Sequence, residues 1–189
     1  MVLPVVKYGH PTLRARGQRV EAITPEIERL VQDMFETMYA AKGIGLAAQQ
    51  VDRALQVMVI DVRDVKDRPS TLELHGEAAP VEALMPLALI NPEIKPFGPP
   101  ETGPEGCLSF PELFADITRP AQTDVTGLDA KGKPVKFRCG GLLSRAVQHE
   151  YDHLQGILFI DRMSLKDKEE LKPELDALQA RTRAALARK

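Results

Sequence analysis

The segment Gln148-His149-Glu150-Tyr151-Asp152-His153 constrains this chain more than any other stretch of it. Two histidines four residues apart point the same way on a helix, where one lies a turn above the other. The surrounding residues agree with a helix over about 142–154, opened by Gly140-Gly141. Leu143, Val147, Tyr151 and Leu154 form one stripe along it, and Ala146, His149, Glu150 and His153 form another. A helix with groups to pack on both sides belongs at the centre of a fold.

The rest of the chain must wrap that helix. Thr24-Pro25-Glu26 reads as a helix start: a hydroxyl cap, proline in the first helical position, and an acid at the positive dipole end. Ile27, Leu30, Val31, Met34 and Met38 follow at three- and four-residue spacing, and Gly43 is a natural stop, so a helix is expected at about 25–42. Leu55 to Val62 is short and rich in β-branched residues, as a strand should be. Residues 63–86 are polar, broken by proline and without a clear period, and read as a loop or insertion. Strand character resumes at Leu87-Ala88-Leu89-Ile90, with further short strands expected at about 104–109, 113–118, 122–128 and 134–139. A β-rich middle between two helices predicts an α+β fold: antiparallel or mixed sheets packed around the central helix. The division expected is a single catalytic domain over 1–163 and a charged helical extension over 164–189, interrupted or restarted at Pro173.

Bulk properties narrow the function classes. With 189 residues, 43% of them hydrophobic, the chain can build one core but not two comfortable ones. A formal net charge of -2 and a pI near 6.1 give no overall pull toward nucleic acid or anionic membrane. No sequence-specific nucleic-acid binding and no membrane association are expected. The N-terminus lacks the basic start and long apolar run of an export signal, which predicts a cytoplasmic protein. Cys107 and Cys139 are then expected as free thiols or metal ligands rather than a disulfide.

Chemistry enters through His149 and His153, whose imidazoles can chelate one transition metal, with Glu150 beside them to handle a proton on metal-bound water. A catalytic site of this kind needs a third protein ligand. Cys107, Cys139, Asp152, Asp161, His10 and His75 are all candidates. Cys107 is notable because Gly106 lets the backbone come close to another group, yet a free cysteine is equally at home as a small buried hydrophobe.

Three separated segments together resemble the peptide deformylase family. They are Gly43-Ile44-Gly45-Leu46-Ala47-Ala48-Gln49-Gln50, Glu105-Gly106-Cys107-Leu108-Ser109 and Gln148 to His153, matching the family's G-x-G-x-A-A-x-Q, E-G-C-x-S and Q-H-E-x-D-H patterns. The resemblance covers roughly residues 5–163. It implies a hydrolase that removes the formyl group from formyl-methionyl nascent polypeptides and releases formate, by attack of metal-bound hydroxide. Cys107, His149 and His153 would hold one divalent metal, with Fe(II) favoured and Zn, Ni or Co able to substitute. Glu150 would be general base and acid, while the Gln50 amide and the Leu108 backbone N–H would hold the oxyanion. Ile44, Gly45, Glu105, Gly106 and Arg119 would contact an extended substrate. Arg145 would serve either the substrate or a structural salt bridge.

Other residues carry plainer expectations. Cys139 reads as core, Asp152 as a carboxylate that anchors the helix, His10 as support for the N-terminal turn, and His75 as solvated. Arg181, Arg183, Arg188 and Lys189 lie in a tail segment without acids, which suits either a solvated helix end or a transient contact with the ribosome. Two other classes remain open on the residues alone: an H-E-x-x-H peptidase, and a protein that only binds metal.

Overall fold

A computed structural model describes all 189 residues. Its elements run α1 (Pro25–Ala40), β1 (Gly45–Ala47), β2 (Val57–Ile60), β3 (Ser70–Leu74), β4 (Glu77–Ala79), β5 (Leu87–Cys107), β6 (Phe110–Leu128), β7 (Pro134–Gly140), α2 (Gly141–Leu154) and α3 (Leu165–Ala187). The seven strands form one sheet in the order β1-β2-β5-β6-β7-β3-β4, every neighbour antiparallel. This is the α+β arrangement expected.

Strand β2, one in from the sheet edge, explains how α1 and α2 are held. All four residues of β2, Val57-Met58-Val59-Ile60, are fully buried. Met58 and Ile60 join the cluster around Leu143, Val147 and Leu154 of α2, while Val57 and Val59 join Val31, Met34 and Met38 of α1. A strand covered on both faces reads as a continuous apolar run. The α1 start is as expected, with Thr24 Oγ1 accepting from the Ile27 N–H at 3.3 Å.

Three expectations are corrected. Residues 63–86 are not a plain loop: β3 and β4 form a hairpin that adds to the sheet edge through β7. Leu72 faces the core, and His75 and Gly76 take the positive φ values, 53° and 79°, of its two-residue turn. The short strands expected from 104 to 128 are instead two long ones, β5 and β6, with Leu108 and Ser109 in the turn between them. The prolines that suggested breaks are tolerated because β5 pairs with β2 only through Ile90, and beyond it has β6 alone, with register shifts at Ile90/Glu93 and Phe97/Pro100. Pro173 lies inside an unbroken α3. It is exposed, so water can satisfy the carbonyl that proline leaves without a donor.

The junction of β7 and α2 is sharp. Gly141 has φ +64°, and a Cβ there would collide with the Pro69 carbonyl. A third cluster, with Phe110, Ile117 and Phe159, receives Leu175 and Leu178 of α3. No helix is long and apolar enough to cross a membrane.

Candidate metal centre

The helix spacing and the β5–β6 turn bring three donors together. Ligand atoms of Cys107, His149 and His153 all lie within 4.8 Å of one another. Cys107 Sγ is 3.3 Å from His153 Nε2. His149 uses its other nitrogen elsewhere: Nδ1 is 2.8 Å from Glu105 Oε1, which leaves Nε2 for the centre. A carboxylate behind a ligating imidazole fixes its tautomer and ring orientation. One thiolate and two imidazoles suit a single divalent transition ion with a coordination position left over.

Electrostatics distinguish the two imidazoles. Burial lowers His149, but its bonds with Cys107 and Glu105 outweigh burial and hold it well above the ordinary histidine value, so it gives up a proton when it ligates. Burial drives His153 well below the ordinary histidine value, and His149 and Arg119 add to the effect, so the ring is neutral as a ligand must be. Glu150 is buried beside the donors, its Oε2 without a hydrogen-bond partner. Burial pushes its carboxyl up to about 7, opposed by His149 and reinforced by Glu105. A carboxyl in that range can both take and return a proton near neutral pH. Gly45 makes room for it, since a Cβ there would sit 2.5 Å from Glu150 Oε1.

The remaining expected residues gather around the same point. Gln50 Oε1 accepts from the Ala47 N–H at 3.0 Å, so its Nε2 faces the centre, 3.4 Å from Cys107 Sγ and 3.2 Å from Ser109 Oγ. Ile44, Gly45, Gln50, Gly106 and Leu108 line a cavity of about 520 Å³ that also contains Cys107, His149 and Glu150. It lies between two strand edges: β1 has only β2 as partner, and β5 beyond Ile90 has only β6. A larger cavity of about 840 Å³, near the β3–β4 turn, contains none of these groups.

Glu105 and Arg119 are 6% and 3% exposed, so both side chains are largely buried, although Glu105 also reaches the cavity wall and Arg119 does not line it. Arg119 donates to both Glu105 oxygens, at 2.6 and 2.9 Å, and to Asp152 Oδ2 at 2.9 Å. Arg145 adds a bond of 2.8 Å to Glu105, and Arg162 one of 2.6 Å to Asp152. The charge each carries is spent on the others, and the network braces His149 from behind. Arg145 is thus salt-bridged, although it also reaches the cavity wall.

Other candidates for the third ligand lie apart. Cys139 is buried in the core with its thiol pushed up to about 12 by burial, chiefly, and by Asp124. Asp161 accepts from Leu158 N–H and Arg14, His10 Nδ1 accepts from Thr12 N–H, and His75 is exposed at the hairpin turn. Sequence reasoning missed Lys7, Arg68 and Phe114 on the cavity wall. No pattern marks them, because each arrives from a separate segment.

Known proteins resemble this chain in sequence and in fold. A family profile described as polypeptide deformylase matches residues 2–169. The peptide deformylase of Methylacidiphilum infernorum is 47% identical over 179 residues, 95% of this chain and 94% of that one. That of Opitutus terrae is 41% identical over 187 residues, 98% and 97% of the two chains. The crystal structure of a Synechococcus elongatus peptide deformylase in complex with actinonin superposes with a TM-score of 0.76 at 38% identity, covering 90% of this chain and 85% of that one.

Proposed function

Because this chain belongs to the polypeptide deformylase family of enzymes, we propose that it hydrolyses the N-terminal formyl group of formyl-methionyl nascent polypeptides, with Glu150 as general base and acid. The observation that carries the reading is the convergence of Cys107, His149 and His153 beside the unpartnered Glu150 carboxylate.

Cys107, His149 and His153 would hold a divalent ion, which would supply Lewis acidity toward the attacking water. The protein supplies everything else. The facing edges of β1 and β5 hold the peptide extended, by strand-like pairing at Ile44, Gly45 and Gly106. The cavity wall of Ile44, Leu142 and Ala146 receives the methionine side chain. Glu150 takes a proton from the attacking water and returns it to the departing amine, which leaves formate and a free N-terminus. The Gln50 amide and the Leu108 N–H donate to the developing oxyanion, as preorganised donors do. A site fitted to the small formyl group rejects the bulkier acetyl group, so acetylated peptides are expected to be poor substrates.

Among ions that suit this donor set, Fe(II) is the one proposed in the cell, with Zn, Ni or Co able to replace it. The enzyme is assigned to the cytoplasm, where formylated chains emerge. Residues 1–163 form the catalytic domain, and 164–189 an extension whose exposed Arg181, Arg183, Arg188 and Lys189 offer a transient ribosome contact.

The deciding experiment is Glu150→Ala, assayed on formyl-Met-Ala-Ser alongside metal analysis. Metal retained with turnover nearly abolished supports the reading. Undiminished function would leave a protein that only binds metal, and cleavage of internal peptide bonds by the wild type would leave a peptidase.

A further inference from the structure

The two proposed oxyanion donors come from different elements. Gln50 sits on a 3-10 turn (Ala48–Val51), and Leu108 on the turn after β5. Both donors must be aimed at one oxygen, so whatever fixes their separation matters to the reaction. The N-terminal segment spans this gap. The Val6 N–H donates to the Gln50 carbonyl at 2.9 Å, and the Tyr8 N–H to the Ser109 carbonyl at 3.0 Å. Between them, Lys7 Nζ donates to the Leu108 carbonyl at 2.8 Å.

These three bonds are not equivalent. Those of Val6 and Tyr8 are backbone bonds, and the Tyr8 ring stacks on Phe110 with centroids 4.9 Å apart. They anchor the segment whatever residue stands at position 7. The Lys7 bond comes from a side chain and ends on Leu108 itself. An ammonium half withdrawn from water on a carbonyl makes a charge-assisted bond, stronger than a neutral one. It also places a fixed positive charge on the wall of the cavity in which the oxyanion forms.

We propose that Lys7 is a positioning residue for hydrolysis: by holding the Leu108 carbonyl it fixes the turn at Leu108, so that the N–H on the preceding peptide unit, that of Leu108, and the Gln50 amide meet the same oxygen. The inference rests on the deformylase reading above. Lys7 acts after the substrate is bound, because the oxyanion exists only once attack has begun. Its loss therefore lowers kcat and leaves KM in place.

The test compares Lys7→Met and Lys7→Arg with wild type on formyl-Met-Ala-Ser, with metal content and thermal unfolding measured on each. Lys7→Met keeps the length and the backbone anchors but loses the donor. Removing an oxyanion donor outright costs about 10²–10³ in kcat, so a donor left in place but loosened should lose about tenfold. The expected result is that drop in kcat, an unchanged KM, full metal content and an unchanged melting temperature, with Lys7→Arg recovering most of the rate. An unchanged kcat overturns the proposal. So does a rise in KM alone, which would make Lys7 a substrate contact. A rate loss that tracks lost metal or lost stability also overturns it. Wild type inactive on the formyl peptide would instead remove the deformylase reading, and this inference with it.

Discussion

Glu105 Oε1 lies 2.8 Å from His149 Nδ1, and the pair links the E-G-C-x-S segment to the H-E-x-x-H helix from behind the metal centre. Arg119 then bridges Glu105 to Asp152 on the same helix, and Arg162 also donates to Asp152, so the ligand-bearing helix is held at two points by buried, fully engaged carboxylates.

Loss of that carboxylate should loosen the metal without removing a ligand. Glu105→Gln is expected to weaken metal retention by about 10–100-fold, read by competition with a chelator. Its charge also contributes to stability. Burial alone would raise the Glu105 carboxyl, but bonds from Arg119 and His149 outweigh it and hold the group well below the usual 4.5. A depressed folded value means the contribution is complete above about 4.5 and is lost as the pH falls toward the lower value. The stability gap between wild type and Glu105→Gln, measured by urea unfolding, should narrow on acidification.

Glu150 has the opposite sign. Its folded value is raised from 4.5 to about 7, chiefly by burial. The protonated form is the one the fold favours, so stability is fullest below 4.5 and declines as pH rises through about 7. Glu150→Gln should therefore gain on the order of 1–3 kcal/mol at pH 8 in the presence of chelator. Turnover should fall by about 10²–10⁴. A variant both less stable and inactive would count against this account.

Arg119 neutralises two buried carboxylates. Arg119→Met leaves Glu105 and Asp152 short of a partner inside the fold, at a cost of about 3–5 kcal/mol. Chemical denaturation measures this directly, and a change under 1 kcal/mol would show that Arg145 and Arg162 suffice.

Thiolate ligation by Cys107 makes the iron-loaded protein the vulnerable one. Activity of the Fe(II) form should decay in air while that of the nickel form persists. Equal decay of the two would argue against a redox-sensitive centre.

Truncation after Asp176 removes the four exposed cations and Leu178 but keeps Leu175 in its apolar cluster. Ribosome association should weaken in low salt, as expected for contacts to phosphate. Sedimentation with ribosomes at two salt concentrations reads this, and identical pelleting would remove the tail from the account.

What the sequence determined by itself was local. The i,i+4 spacing of His149 and His153, the Thr24-Pro25 helix start and the apolar run of β2 each depend on residues within a turn or a strand, where geometry follows from spacing. Three motifs in order were enough to place the family. What the sequence could not decide was pairing at a distance. By spacing alone Cys107 could be a small buried hydrophobe as readily as a ligand, until β5 and β6 turned back at Leu108 and Ser109 and set it beside His153. Arg119 looked like a substrate contact until the pairing of β5 with β6 set it against Glu105, 14 residues away in sequence, inside the fold. Lys7 meets Leu108 across 101 residues. Such contacts are set by strand register and by which edges remain free, and these are properties of the assembled sheet that no short window of residues contains.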